Sequence, residues 1–536
     1  MAQMTGGEAV VATLRALGID AVFGIPSVHN LPIVDALGRE ADPRFWVVRH
    51  EQGAGHMADG YARATGRLAV ALTSTGPGAA NSVGALWEAY HANSPVLEIT
   101  GQIATRWLDK GKGALHEVDR QPEFLGAVTK QVYRAGSVGE IPELVVEAAA
   151  RAQSGRPGPT AVEVPIDLQY EQGAVEIPEP KPVRRRAPRA ADVAEAVGLM
   201  GGARRIVIWA GGGAVRSGAG PALIRLAETL GAPVVTSTNG RGAVDEGHPL
   251  VIGAFTKSPA VRSYLESADL WIAVGTRLRY DATAEWTITA PNALIHVNID
   301  PTERDRNYRA AVYLAADATA AVEALLAAYP GPLRPASPEV LRLASDTREA
   351  AFEHLGPWRE VAEAIGAALG DTGILTCDAT IAAYAFGNRV IPVRHRFGFL
   401  YPTTSAIGPG LPLALGAQVG RPDRRVIAIC GDGGFLLDVG DLAMAAQYRL
   451  PVVFCVFNDH AYGILKRAQM REFGRLHGVE LNAPDFMQLA SAFGLKGLHA
   501  ATPAEFRERL AEGLALREPV LLEVDVAAIG PIPLSG

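Results

Sequence analysis

Cysteine is scarce in this chain. Cys377, Cys430 and Cys455 are the only three, far apart and set in apolar runs, which argues against a disulfide framework and for a reducing compartment. Long hydrophobic runs are also missing. None approaches the about 18 uninterrupted apolar residues of a membrane-spanning helix, and no N-terminal stretch joins a basic start to an apolar core, so the expectation is a cytoplasmic protein with no membrane partner. Excess positive charge is absent too: 50 Lys and Arg face 57 Asp and Glu, a formal net charge of -7. Nucleic-acid binders need clustered surplus Lys and Arg, so no nucleic-acid partner is expected. What remains is a chain of 536 residues, 48% hydrophobic and 20% charged, the composition of a globular protein with several separate cores.

Helical and strand-like periods alternate along it. "GGEAVVATLRALG" reads as a helix, "AVFGIP" as a strand, "LPIVDALGRE" as a helix and "FWVV" as a strand. The alternation continues through "RLAVALTSTGPGAAN", "PVLEITG" and "PTAVEVP", and it predicts a mainly parallel sheet covered by helices. "EIPEPKPVRRRAPRA" has no apolar period and reads as an extended linker, its Arg184 to Arg186 run a solvated face. A second α/β set follows ("RIVIWAGGG", "PVVTST", "DLWIAVG", "ALIHVNID"), then a Pro-rich break, then a third ("GILTCD", "RVIAICGDGG", "PVVFCVFND", "PVLLEVDV"). The predicted fold is three consecutive α/β domains, at 1–180, 191–330 and 341–536.

The densest chemistry lies in the third. A buried strand ends at Gly431-Asp432-Gly433 and another at Asn458-Asp459, with 24 residues from Gly434 to Phe457 between them. Both polar ends should share the carboxyl edge of one parallel sheet, where α/β proteins bind ligands. Glycines permit close backbone approach, and Asp432 with a second oxygen side chain and a backbone carbonyl suits Mg²⁺, whose shell phosphates often complete. In the middle set, "IWAGGGAVRSG" places Gly211 and Gly213 as a dinucleotide fingerprint would, but Arg216 stands at the sixth position, which argues against a nicotinamide site.

This GDG with its spaced Asn-Asp pair resembles the thiamine diphosphate enzymes of the acetolactate synthase and 2-oxo acid decarboxylase superfamily. The resemblance implies that the three domains are pyrimidine-binding, middle and diphosphate-binding. It implies that Asp432, Asp459 and the Ala461 carbonyl hold Mg²⁺, Asp459 replacing the usual Asn, and that Gly431, Gly433, Gly434, Asn458 and Tyr462 lie against the cofactor. "RHEQGAGHMADGYAR" resembles the family segment whose Glu, here Glu51, hydrogen-bonds the aminopyrimidine ring and favours its imino tautomer. On residues alone, Glu51 is an acid at a helix start, a position the helix dipole favours. "TSTGPGAAN" resembles the pyrimidine-side loop, which implies contacts from Thr75, Gly76, Pro77 and Asn81; "TTSAIGPGLPLALGA" resembles the segment that wedges the cofactor, with Ile407 as the wedge. Some relatives carry FAD or ADP in the middle domain, and the sequence leaves FAD open.

Two departures bear on the reaction. Where acetolactate synthases read Phe-Gln-Glu, this chain has Leu115, His116 and Glu117, and Ala468 stands at their Trp position. "GIPSVHNLPI" and "KGKGALHEVDRQ" look similar to 2-ketoarginine decarboxylase-like members, which implies that His29 and His116 flank the reacting carbon, with Gln121 a further substrate contact. A histidine near neutral pKa can move a proton there or hold a carboxylate. The expected function is thiamine diphosphate- and Mg²⁺-dependent decarboxylation of a small-molecule 2-oxo acid, with aldehyde release or carboligation. Acetolactate synthase is the alternative, and a member that oxidises the intermediate through FAD comes third. A non-catalytic cofactor- or nucleotide-binding subunit is the alternative of another class. The resemblance also implies a homodimer or homotetramer with active sites between subunits.

Overall fold

Short apolar runs bounded by Gly, Pro and polar turns form strands, and the amphipathic stretches between them form helices that cross back over the sheet. In the computed structural model, which describes residues 2–534, the result is three six-stranded sheets, each parallel throughout. The first runs Arg44–Val47, Ala21–Gly24, Ala69–Thr73, Val96–Gln102, Thr160–Pro165, Val132–Arg134. The third repeats that spatial order with Phe399–Leu400, Ile374–Cys377, Val426–Gly431, Val452–Asn458, Val520–Asp525 and Lys496–Ala500. The middle sheet differs: Val251–Gly253, Val234–Thr236, Ile206–Ala210, Leu270–Val274, Ala293–Val297 and Val312–Leu314. Its strands fall in the doubly wound order that places a ligand crevice at the switch point beside the first strand. The expected α/β class and the three parallel sheets are both present.

A two-stranded antiparallel pair, Ala2–Thr5 with Gln172–Val175, returns the chain to its start at the end of the first unit. Between 176 and 189 there is neither helix nor strand, as the Pro-rich composition predicted. The first and third units share one core, in which Phe23, Trp46 and Met57 meet Leu413 and Phe435. It is built on the crossing of Glu51–Thr65 with Gly410–Gly420. A Cβ at Gly60 would stand 2.2 Å from the Leu413 carbonyl oxygen, and one at Gly416 2.0 Å from that of Met57. Only glycine permits backbones this close, so the helix that begins at Glu51 is locked by shape to the third unit.

The middle unit is latched to the third by Arg241. This buried guanidinium donates to both Glu246 oxygens, at 2.8 and 2.6 Å, and to the Gly387 carbonyl at 2.7 Å. Gly387 closes a π-helical turn, Ala383–Gly387, that carries Tyr384. A buried ion pair satisfied in this way serves geometry more than net stability.

Burial also places a carboxyl in the first unit where sequence reading did not look. Glu98, within the strand Val96–Gln102, is fully buried and accepts from the Thr73 hydroxyl at 2.8 Å and the Ser82 hydroxyl at 2.9 Å. Desolvation pushes its pKa from 4.5 up to about 7, and the nearby Glu51 charge adds to the rise. The unfolded chain therefore releases this proton at lower pH than the folded one, and stability falls as pH rises from about 4.5 through about 7, by up to about 3 kcal/mol. Glu98→Gln is expected to flatten that fall and to melt higher than the parent above pH ~7. Parallel melting curves for the two proteins across this range would show that the carboxyl is ionised in place.

Candidate active site

The two halves of the candidate site lie at carboxyl edges of the first and third sheets. In the third, Val426–Gly431 and Val452–Asn458 are adjacent and parallel, with Gly431 opposite Phe457. Asp432 and Asp459 therefore leave neighbouring strands side by side, as the spacing predicted. Asp432 is buried, 1% exposed, and its Oδ2 has no hydrogen-bond partner. Both carboxyls line one cavity; burial, then the Asp459 charge, raises the pKa of Asp432, and burial raises that of Asp459 as well. Burial together with their mutual repulsion disfavours ionising both carboxyls at once.

Beside them is a cavity of about 210 Å³ whose wall includes Ile407, the Gly431–Gly434 turn, Ala461 and Tyr462. The turn is glycine for steric reasons. A Cβ at Gly433 would stand 2.7 Å from the Tyr462 ring, and one at Gly434 2.3 Å from Asp378 Oδ2. Asn458 does not face this space. Its amide donates to Glu523 at 2.8 Å and its oxygen accepts from the His460 N–H at 3.2 Å, so it braces the turn that presents Asp459. Ile407 is 41% exposed. The neighbouring Gly408 N–H donates to both Asp378 oxygens at 3.0 Å. Asp378 was not singled out from sequence, although a polar residue closing the apolar run "GILTC" is the signal for a carboxyl-edge position.

In the first unit, Glu51 opens the helix Glu51–Thr65 after His50, whose extended backbone and ring nitrogen cap it. An acid in the first turn suits the positive end of the helix dipole. Asn81 Nδ2 donates to Glu51 Oε2 at 3.0 Å, and a Cβ on Gly78 would stand 3.1 Å from Oε1. The structure thus brings Glu51 together with the Thr75-Gly76 turn and the first turns of the helix after it, which carry Gly78 and Asn81. Gly76 has φ +60°, and a Cβ there would meet the His116 carbonyl at 2.4 Å. Pro77 opens the next helix, Pro77–Ala92, and is exposed.

Gln121 is turned inward. It is fully buried; its oxygen accepts from the Thr75 hydroxyl at 2.8 Å and the Gly76 N–H at 2.7 Å, and its amide donates to Glu163 at 2.9 Å. The expected substrate contact is instead a brace for the loop, because every polar atom is already engaged by protein. His29 and His116 are brought together, with ring centroids 5.1 Å apart. His29 is 7% exposed and its Nδ1 has no partner. Burial, then His116, lowers its pKa, so His29 is held neutral.

Every residue lining the 210 Å³ cavity belongs to the third unit, and Glu51 is not among them. A separate cavity of about 370 Å³ opens where the three units meet, with Arg63 of the first unit and Arg216, Arg277 and Arg279 of the middle one on its wall. Desolvation lowers Arg216 and Arg277 to about 10. Among the described residues no group of three or more His, Cys, Asp or Glu is arranged to hold a metal ion, so a metal at Asp432 and Asp459 would need further ligands of another kind.

Three family matches cover most of the chain. Residues 4–123 match the thiamine pyrophosphate enzyme N-terminal TPP binding domain, 193–325 the central domain and 381–524 the C-terminal TPP binding domain. A "Probable acetolactate synthase large subunit" of Methanocaldococcus jannaschii is 33% identical over 99% of this chain and 93% of its own length. A "Probable 2-ketoarginine decarboxylase" of Pseudomonas aeruginosa is 36% identical over 92% and 88%. The acetolactate synthase isozyme 2 large subunit of Escherichia coli is 32% identical over 98% and 96%.

Proposed function

The chain belongs to the thiamine pyrophosphate enzyme family, and on that premise we propose that it decarboxylates a 2-oxo acid with thiamine diphosphate and Mg²⁺, releasing an aldehyde or joining the carbon fragment to a second carbonyl. The buried Asp432 and half-buried Asp459, with an unpartnered Asp432 oxygen beside a glycine-walled cavity, carry this reading. Two carboxylates are an incomplete shell for Mg²⁺, and the Ala461 carbonyl and a diphosphate would complete it. When bound, the cofactor supplies the nucleophilic carbon and the electron sink for loss of CO₂.

The protein's own work is orientation and proton handling. Glu51, aligned by Asn81, would accept a hydrogen bond from the pyrimidine ring. Ile407 would set the cofactor's bend, and Tyr462 would close the diphosphate side. Neutral His29 and its neighbour His116 would donate N–H groups or a proton to the reacting centre. Gln121 would act through Thr75 and Gly76, and Asn458 through the turn at Asp459.

Glu51 does not line the cavity beside Asp432, and a second copy would complete each site, in a homodimer or a homotetramer. The exposure of apolar Val28 and Leu115 on one unit, and of Ile407 and Leu465 on another, supports this. The arginine-walled cavity where the units meet fits a phosphate-bearing nucleotide such as FAD or ADP. Leu115, His116, Glu117 and Ala468 favour the decarboxylase reading over acetolactate synthase, and so does the 36% identity to a relative described as a 2-ketoarginine decarboxylase.

The test is CO₂ release with product identification, on pyruvate and on longer, aromatic and basic 2-oxo acids. An aldehyde from a longer or basic acid, with pyruvate poor, is expected. Acetolactate from pyruvate would instead make the chain a synthase, and no CO₂ from any acid in cofactor-loaded protein would remove the reading.

A further inference from the structure

We propose that Glu88 is a positioning residue of the cofactor site, acting through the segment Thr403 to Ile407; the inference rests on the reading of Ile407 as the cofactor's wedge. Glu88 lies on the helix Pro77–Ala92, and its side chain is fully buried. One carboxylate oxygen accepts the Thr403 N–H, and the other accepts the Thr404 N–H at 2.9 Å and the Thr404 hydroxyl at 2.6 Å. Residues 402–408 form no helix or strand. They have no ladder of their own, so their position depends on what accepts their donors.

Both ends of this short span are held by buried carboxylates from different units. Glu88 of the first unit takes Thr403 and Thr404, and Asp378 of the third takes Gly408. Ile407 is next to that second anchor and faces the cavity. Arg63, on the helix that begins at Glu51, adds a third restraint. It donates to the Tyr401 carbonyl at 2.8 Å and to Asn239 of the middle unit at 3.0 Å. Its other terminal nitrogen lies 3.7 Å from Glu88 and 3.6 Å from Asp59. The guanidinium thus faces two buried carboxyls at this junction, and the Glu88 side chain meets the three donors of Thr403 and Thr404 from fixed positions.

A glutamine at this position keeps the size but presents an amide NH₂ to at least one N–H. Glu88→Gln is therefore expected to displace the segment without emptying the core. In the full-length protein titrated with thiamine diphosphate and Mg²⁺, cofactor Kd should rise by about tenfold. The near-ultraviolet circular dichroism of the bound cofactor should change, and the melting temperature of the cofactor-free protein should stay close to the parent's. Thr404→Val, which removes only the hydroxyl bond, should move Kd and the spectrum in the same direction by less, and Glu88→Asp should partly restore the parental spectrum.

Folded Glu88→Gln with parental Kd and spectrum would overturn the proposal. So would a lowered melting temperature accompanied by a parental spectrum, since that is mere structural loss. Should Glu88→Gln fail to fold, Thr404→Val decides on the same two readouts. Ile407→Ala separates this from the underlying reading. A parental spectrum in Ile407→Ala removes the wedge itself, whereas a changed spectrum there with a parental one in Glu88→Gln removes only Glu88.

Discussion

Glu51→Gln lowers kcat by about 10²–10⁴-fold, the usual contribution of a positioned acid–base group, while thiamine diphosphate binds almost as tightly as to the parent. The expectation follows from what surrounds the side chain. Asn81 reaches one Glu51 oxygen at 3.0 Å, and the other faces the space beside Gly78. Glutamine fills the same volume and keeps one acceptor, so the segment from Thr75 to Asn81 has no reason to move. What it loses is the carboxylate proposed to control the pyrimidine's protonation. The proposed diphosphate anchor lies on residues of the third unit that line the other cavity, so affinity and turnover should separate. Steady-state turnover beside a cofactor titration checks this, and full activity in the variant would sink the role assigned to Glu51.

Asp432→Ala gives the opposite pattern: cofactor affinity collapses and its dependence on Mg²⁺ disappears. Groups that merely orient metal ligands cost about 10–100-fold in metal affinity when removed, so loss of a direct ligand should cost at least about 100-fold. The side chain is 1% exposed with one oxygen unpartnered, so in the cofactor-free protein its removal breaks no essential contact. Cofactor-free Asp432→Asn, which relieves the crowding of two carboxyls, should melt no lower than the parent. Calorimetric titration of thiamine diphosphate with and without Mg²⁺ measures the effect. Parental affinity that still responds to Mg²⁺ would place the metal elsewhere.

The residues that the sequence singled out divide by what the geometry does with them. Glu51 with Asn81, Asp432 with Asp459 and His29 with His116 meet as pairs. Gln121 and Asn458 stand at the expected places but turn their polar atoms into the protein. Residue type and spacing predict which strand end a side chain occupies, whereas its rotamer answers to buried donors that come from remote segments. Asp378 and Glu88 went unnoticed for the same reason. A lone Asp at a strand end and a lone Glu in a helix carry little pattern, and the Glu88 partners lie 315 and 316 residues away in the chain.

By itself the sequence determined the three parallel α/β units, the linker at 176–189, and the motifs that bring one acid to a helix start and two to adjacent strand ends. These are local consequences of period, turn residues and spacing. Only the tertiary structure decided that the Glu51 helix is locked against the third unit by facing glycines, and that the Ile407 segment hangs between carboxylates of two units. It also left Glu51 off the wall of the cavity beside Asp432. Each of those outcomes depends on close packing between segments hundreds of residues apart, where shape and buried hydrogen bonds, not periodicity, select the partners.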